Sequence, residues 1–313
     1  MTGKVLVTDY VHNDLIEGLQ QMGYTVDYDR TITYDNVKMI IHDYAGIVIN
    51  SKVKMDATTI DLAPQLQWIA RLGSGLEIID LPYAAGKDVQ VYNSPEGNRN
   101  AVAEHAIGML LCLQNQIIRG DGDVRAMAWD REARRGRELM HKTIGIIGLG
   151  NTGTALATKL RSWDMRLLAH DPYIQHPPAS TTGVELVSLP YLQAQADIIS
   201  LHVPLTPLTL ELINSDFLSK CKHGVILMNT SRGKVVDIGA VLSSIERQMI
   251  GGLCLDVFPN EKTQTYTEEE IGMYNRLYSR DDVVLTPHVA GWTDESLQRI
   301  AEVLLWKIKA DIS

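Results

Sequence analysis

The chain has 313 residues, a length that suggests about two domains, and its 45% hydrophobic content is enough to build an ordinary buried core. A formal net charge of −9 argues against electrostatic capture of nucleic acid or an anionic membrane, so an anionic ligand must be held by a few local cations. Cys112, Cys221 and Cys254 form no C-x-x-C pair. Neither a disulfide framework nor a metal site is expected, and with no signal pattern and no apolar run of membrane-spanning length the expected location is the cytoplasm.

In chain order, KVLVT (4–8) reads as a strand and NDLIEGLQQMG (13–23) as a helix, with Asn13 as N-cap and Gly23 as its stop. GIVIN (46–50), LQWIARL (66–72) and VQVYN (89–93) are further strands, separated by helical stretches such as DNVKMIIHDY. Alternation of this kind predicts parallel βαβ units. AVAEHAIGMLLCLQNQIIRGDGDVRAMAW (101–129) starts as a helix apolar over most of its circumference, which calls for burial between layers or subunits. The strand–helix pattern restarts at KTIGIIGLGNTG and continues through DIISLHVP, GVILMNTSRG, IGGLCLDVF and DVVLTPHVAG, and a helix over 295–311 closes the chain. NEKTQTYTEEE (260–270) reads as an irregular surface insertion. The fold class is therefore α/β, with two doubly wound parallel-sheet domains and a junction near residue 98.

The stretch Gly148-Leu149-Gly150-Asn151-Thr152-Gly153 follows a strand and opens a helix. Its first glycine allows a tight turn, its second admits a pyrophosphate against the backbone, and its third lets helix pack on strand. The phosphates would lie on N–H groups at the helix N-terminus. Thr154 stands where a P-loop needs lysine. The next strand ends in Asp171, at the spacing where an acid meets the ribose 2′-hydroxyl; such a carboxylate repels a 2′-phosphate, so NAD is favoured over NADP. Asp171 followed by Pro172 is also an ordinary turn start.

Three side chains follow apolar strands in the same half of the chain: Arg232 after VILMN, Glu261 after GLCLDVF, and His288 after DVVLTP. Open α/β sheets bind ligands at such strand ends. A guanidinium clamps a carboxylate through a bidentate fork. An imidazole exchanges a proton near neutral pH, and a carboxylate beside it favours the charged form and fixes its orientation. Singly, each has a plain structural reading: a surface turn, a solvated loop, a strand cap. Together with a nucleotide loop they fit hydride transfer between NAD(H) and a 2-hydroxy or 2-keto acid.

The stretches RLGSGLEIID (71–80), NSPEGNRNAVAEHAIGMLL (93–111), KTIGIIGLGNTG (142–153), HVPLTPLT (202–209), MNTSRG (228–233), LDVFPNE (255–261) and LTPHVAGWT (285–293) run along nearly the whole chain. In them the sequence resembles the D-isomer-specific 2-hydroxyacid dehydrogenase family, which includes phosphoglycerate dehydrogenases. The resemblance implies a Rossmann NAD-binding domain (99–288) inserted into a discontinuous, flavodoxin-like substrate-binding domain (1–98 plus 289–313), with the cleft closing over the substrate. It assigns catalysis to Arg232, Glu261 and His288, and places Asp256 against the nicotinamide carboxamide. Further cofactor contacts are implied at Pro172, Val203, Pro204, Thr209, Thr230 and Gly291, and a carboxylate-binding loop at the backbone of Ser74 and Gly75. The implied assembly is a homodimer with the long helix in its interface.

Several positions depart from the family pattern. Glu77 and Ile78 replace a common Asp-Asn pair, Lys262 replaces a frequent proline, His141 a common glycine, and Thr152 a branched apolar residue. Asn50 stands where phosphoglycerate enzymes often carry arginine, leaving Lys52, Arg71 and Arg99 as the candidate phosphate partners. D-3-phosphoglycerate is one candidate substrate. The alternatives are a glyoxylate or hydroxypyruvate reductase, whose usual NADP preference conflicts with Asp171, and an NAD(H)-sensing corepressor-like protein. The chain runs to Ser313 without a C-terminal regulatory extension, so regulation through one is not expected. The cations Arg131, Arg134, Arg135 and Arg137 lie among Asp130, Glu132 and Glu138 and read as a mixed-charge surface.

Overall fold

The computed structural model describes residues 3–312. Met1, Thr2 and Ser313, the outer ends of the expected substrate-binding domain, lie outside the described residues. The chain folds as two compact units, Met1–Arg99 with Trp292–Ser313, and Asn100–Gly291.

The first unit is built on five strands: β1 (Lys4–Val7), β2 (Thr25–Tyr28), β3 (Gly46–Ile49), β4 (Trp68–Arg71) and β5 (Gln90–Asn93). All pair in parallel, in the order β2-β1-β3-β4-β5. Both faces of this sheet are covered, as a parallel sheet requires. Alternation along β1 shows it: Leu6 enters the cluster with Ile47, Ile49 and Ile69, whereas Val5 and Val7 enter the one with Val48, Trp68 and Ala70. The second cluster is closed by Leu15 and Leu19 of the first helix and by Ala301, Leu304 and Ile308 of the last, Asp294–Ile312. Returning the chain terminus to the first sheet is thus a packing necessity, since that apolar stripe is what shields one face from water.

The second unit carries seven strands: β6 (Thr143–Ile147), β7 (Arg166–His170), β8 (Val184–Leu186), β9 (Ile198–Leu201), β10 (Val225–Asn229), β11 (Ile250–Leu255) and β12 (Val283–Leu285). Their order is β12-β11-β10-β9-β6-β7-β8, again all parallel. The chain runs outward from β6 to β8 and then crosses back to β9, so the strand order reverses beside β6. That switch point, at the carboxyl ends of β6 and β9, is where doubly wound sheets open a crevice for ligands.

Local details differ from the sequence expectation in three places. Asn13 is the first helical residue, and the cap is His12, whose Nδ1 accepts from Asp14 N–H at 3.3 Å. The long apolar helix begins at Pro95 and ends at Gln114, with a second helix at Ile117–Arg125. The stretch 260–270 is ordered: Thr263–Thr265 forms a 3-10 turn, and Thr267 with Glu270 makes a reciprocal capping box that starts the helix Glu268–Tyr278. Among the described residues no helix is long and apolar enough to cross a membrane.

Candidate active site

The glycine loop leaves β6 and opens the helix Asn151–Leu160. Each glycine has a different reason to be one. Gly148 sits at φ +92, and a Cβ there would lie 2.6 Å from the His202 carbonyl oxygen. A Cβ on Gly153 would lie 2.0 Å from the Gly148 carbonyl oxygen, so helix and loop close on each other only with hydrogen at that position. A Cβ on Gly150 would meet nothing. Gly150 is the N-cap, no side chain caps the helix and no acid stands in its first turn, which is the donor-rich, anion-favouring end a diphosphate needs.

Asp171, at the end of β7, does two things at once. Its Oδ2 accepts from Leu149 N–H at 2.9 Å, bracing the glycine loop, and its Oδ1 accepts from Tyr173 N–H at 3.0 Å in the Asp-Pro turn. A carboxylate offers about four acceptor positions, so acceptor capacity remains for a diol. Val203 reaches the same loop, its Cγ1 3.0 Å from the position of a Gly148 Cβ. Thr209 serves the local turn instead, donating to Pro204 O at 2.6 Å and accepting from Thr206 N–H at 2.8 Å. The Thr230 hydroxyl is buried with no hydrogen-bond partner among the described residues, a polar atom that a bound nicotinamide group would satisfy. The open Gly150 cradle and this orphaned hydroxyl fit the dinucleotide.

Arg232, Glu261 and His288 follow β10, β11 and β12, which lie side by side. His288 Nδ1 is 2.9 Å from Glu261 Oε2. Both side chains stay accessible, at 50% and 41% exposure, which a pair acting on a small molecule requires. Half-burial by itself would raise the Glu261 pKa; the hydrogen bond and charge of His288, the Phe258 N–H and the charge of Arg232 outweigh it and hold the carboxyl below its ordinary value. The stabilisation from this pair is therefore present above the ordinary glutamate range and is lost as pH falls through the lowered value. His288 itself sits at φ +56, an uncommon backbone state for a residue other than glycine, of the kind concentrated at functional sites.

The Arg232 loop is built by its neighbours. Buried Asn229 donates to Arg232 O at 2.9 Å and accepts from Ser231 N–H at 3.0 Å and the Ser231 hydroxyl at 2.8 Å. Arg232 Nη1 donates to Ser231 O at 2.7 Å. A Cβ on Gly233 would lie 1.9 Å from the Phe258 carbonyl carbon, so only glycine lets this loop meet the segment that carries Glu261. Phe258 is in turn set edge-on to Tyr274 and Tyr278, with Tyr266 tilted against Tyr274 at 4.8 Å between ring centroids. Asn229 and this aromatic wall had no signal in the sequence beyond their place near strand ends.

In the first unit, the Ser74 and Gly75 N–H groups donate to no acceptor among the described residues, while Asn93 holds Ser74 O at 2.9 Å. Arg71 lies beneath this loop: it donates to Leu72 O, and a Cβ on Gly73 would lie 2.0 Å from its Nη1. Lys52 Nζ donates to Arg30 O at 2.8 Å. Arg99 is exposed.

A seven-stranded parallel sheet with a glycine loop at its switch point and an Arg–Glu–His set on its strand ends defines a dinucleotide-binding unit of dehydrogenase type. Residues 107–290 match the NAD binding domain of the D-isomer specific 2-hydroxyacid dehydrogenases, and the chain belongs to that family. It is 37% identical over 298 residues to a D-3-phosphoglycerate dehydrogenase of Synechocystis sp., covering 95% of this chain and 52% of that protein. With the D-3-phosphoglycerate dehydrogenase of Archaeoglobus fulgidus it shares 34% identity over 96% of this chain and 56% of that one. The chain thus spans about half the length of the curated relatives it matches. Among solved structures it resembles D-lactate dehydrogenase from Aquifex aeolicus complexed with NAD and lactic acid, with a TM-score of 0.85, 31% identity, and coverage of 98% and 95% of the two chains. The apo-structure of D-lactate dehydrogenase from Escherichia coli matches with a TM-score of 0.81 and 30% identity, covering 99% and 96%.

Proposed function

We propose that the chain is an NAD-dependent dehydrogenase that interconverts a D-2-hydroxy acid and its 2-keto acid. The observation that carries this reading is the 2.9 Å His288–Glu261 pair, with Arg232 close enough for its charge to act on Glu261. Bound NAD(H) supplies or accepts the hydride. Arg232 clamps the substrate carboxylate and polarises the neighbouring carbonyl. Because Nδ1 of His288 is engaged by Glu261, Nε2 is the nitrogen that gives a proton to the keto oxygen in reduction and takes it back in oxidation. Glu261 holds the ring aimed through Nδ1. The Ser74 and Gly75 N–H groups serve as anion donors in the substrate-binding unit.

NADH oxidation with 3-phosphohydroxypyruvate, hydroxypyruvate, glyoxylate and pyruvate tests the reading. Turnover with at least one is expected at ordinary enzyme rates, on the order of 1 s⁻¹ or more; NADH binding without turnover would leave the corepressor-like alternative standing. The names of the relatives put 3-phosphohydroxypyruvate first. An unphosphorylated acid is favoured by a different observation: Asn50 takes the family arginine's place, and Lys52 and Arg71 are both engaged by backbone carbonyls.

Asp171→Ala is expected to raise KM for NAD, by loosening the glycine loop, and to lower it for NADP. The preference should move by about tenfold or more, since like-charge juxtaposition costs several kcal/mol. An unchanged NAD/NADP ratio of kcat/KM would reduce Asp171 to a turn residue. A homodimer is supported by the apolar side chains Ile117, Ile118, Val124, Met127 and Trp129, which are 51–96% exposed on one helix and the segment after it. A cytoplasmic location is supported by three cysteines that are all free thiols.

A further inference from the structure

Asp256 follows β11 and is 1% exposed. Its Oδ1 accepts from the Thr286 hydroxyl at 2.6 Å and from Val289 N–H at 2.9 Å, and its Oδ2 accepts from Ala290 N–H at 2.9 Å. Its backbone carbonyl accepts from His288 N–H at 2.7 Å. One residue therefore grips three consecutive N–H groups of the segment on which His288 adopts its left-handed backbone. One acceptor direction remains on Oδ2, which leaves room for the nicotinamide contact the family resemblance implies.

A buried carboxylate needs compensation, and the structure supplies it from the helix Pro95–Gln114. His105 Nε2 lies 3.0 Å from Thr286 Oγ1 and 3.7 Å from Asp256 Oδ1. Thr286 has one hydrogen to give. The alternatives for it are a carboxylate oxygen at 2.6 Å and the Met109 sulfur at 3.8 Å, and the charged acceptor wins by both distance and strength. With its hydrogen spent on Asp256, Thr286 can only accept from His105. The proton of His105 must then lie on Nε2.

We propose that His105, Thr286 and Asp256 form a one-way hydrogen-bond chain that positions His288: His105 Nε2–H donates to Thr286 Oγ1, whose hydroxyl donates to Asp256 Oδ1, which holds the His288 segment. His105 and Thr286 are positioning residues and touch neither substrate nor proton in transit. The catalytic consequence rests on the dehydrogenase reading above; the tautomer does not.

Two measurements test it. In 15N-histidine-labelled wild-type protein, the imidazole shifts of His105 should report the Nε2–H tautomer; an Nδ1–H tautomer overturns the proposal whatever the chain catalyses. In the NADH oxidation assay, Thr286→Val should lower kcat about tenfold or more, the scale set by a buried charge losing a hydrogen bond, with NADH affinity close to wild type. Thr286→Ser and His105→Gln, which keep a hydroxyl and a side-chain N–H donor, should retain most of the wild-type kcat, whereas His105→Leu should not. Wild-type kcat in Thr286→Val, or Thr286→Ser as impaired as Thr286→Val, overturns the chain's role. Absence of turnover in the wild type with every 2-keto acid would instead defeat the dehydrogenase reading, and the tautomer measurement would still decide this proposal.

Discussion

His288→Asn is expected to remove turnover while leaving the cofactor bound. Asparagine keeps a donor for Glu261 and a side chain of similar reach, so the local packing and the glycine loop, which lies on a different strand, are untouched. What it lacks is a group that can give or take a proton near neutral pH. General acid–base catalysis is worth about 10²- to 10⁴-fold, and kcat should fall by that factor. NADH affinity, read from quenching of nicotinamide fluorescence, should stay at the wild-type value. Glu261→Gln should fall less, because it removes the carboxylate that orients the ring but leaves the ring in place. Normal kcat in His288→Asn would mean that the proton comes from another group and that the pair at 2.9 Å is structural.

Gly233→Ala is the second large effect, and it arises from backbone rather than chemistry. The added methyl would lie 1.9 Å from the Phe258 carbonyl carbon, 2.0 Å from its oxygen and 2.5 Å from Pro259 N. None of these atoms is the end of a flexible side chain, so relief requires the two loops to part. Overpacking of this kind costs about 1–3 kcal/mol, a fall in Tm of roughly 3–10 °C for a domain of this size. Parting the loops also moves Arg232 away from Glu261 and His288, and a displacement of about 1 Å can cost on the order of 10²-fold in rate. Thermal unfolding and kcat should therefore both change in the one variant. An alanine variant with the wild-type Tm and kcat would show that the loops have slack the present geometry lacks.

Much of the site could be read from single residues because its parts sit at places the fold class dictates. Apolar runs ending abruptly in polar residues mark the carboxyl ends of parallel strands, so the places of Arg232, Glu261 and His288 on those ends are legible from position alone. The glycine loop with Asp171 was found from spacing. The capping box at Thr267 and Glu270 was equally visible as T-x-x-E, yet the polar, charged stretch around it reads as irregular, since composition there outweighs a two-residue signature. The cap lies one residue before Asn13, because histidine is an unusual cap that only the 3.3 Å contact of His12 with Asp14 N–H identifies.

Other features had no local signal. Arg71 reads as a candidate anion partner by charge, but its place under Gly73 depends on how the loop folds back over β4. His105, Thr286 and Asp256 are 181 and 30 residues apart along their two hydrogen bonds, and no periodicity links them.

By itself, then, the sequence determined the two parallel-sheet folds, the glycine loop between strand and helix, and the three side chains proposed for the chemistry. Those follow from backbone periodicity, glycine sterics and side-chain chemistry, all of which act over a few residues. Tertiary structure alone decided which ring nitrogen of His288 is engaged, which glycine joins the Arg232 and Glu261 loops, and what balances the buried charge of Asp256. Those are outcomes of packing between distant segments, where ångström-scale distances decide which donor meets which acceptor.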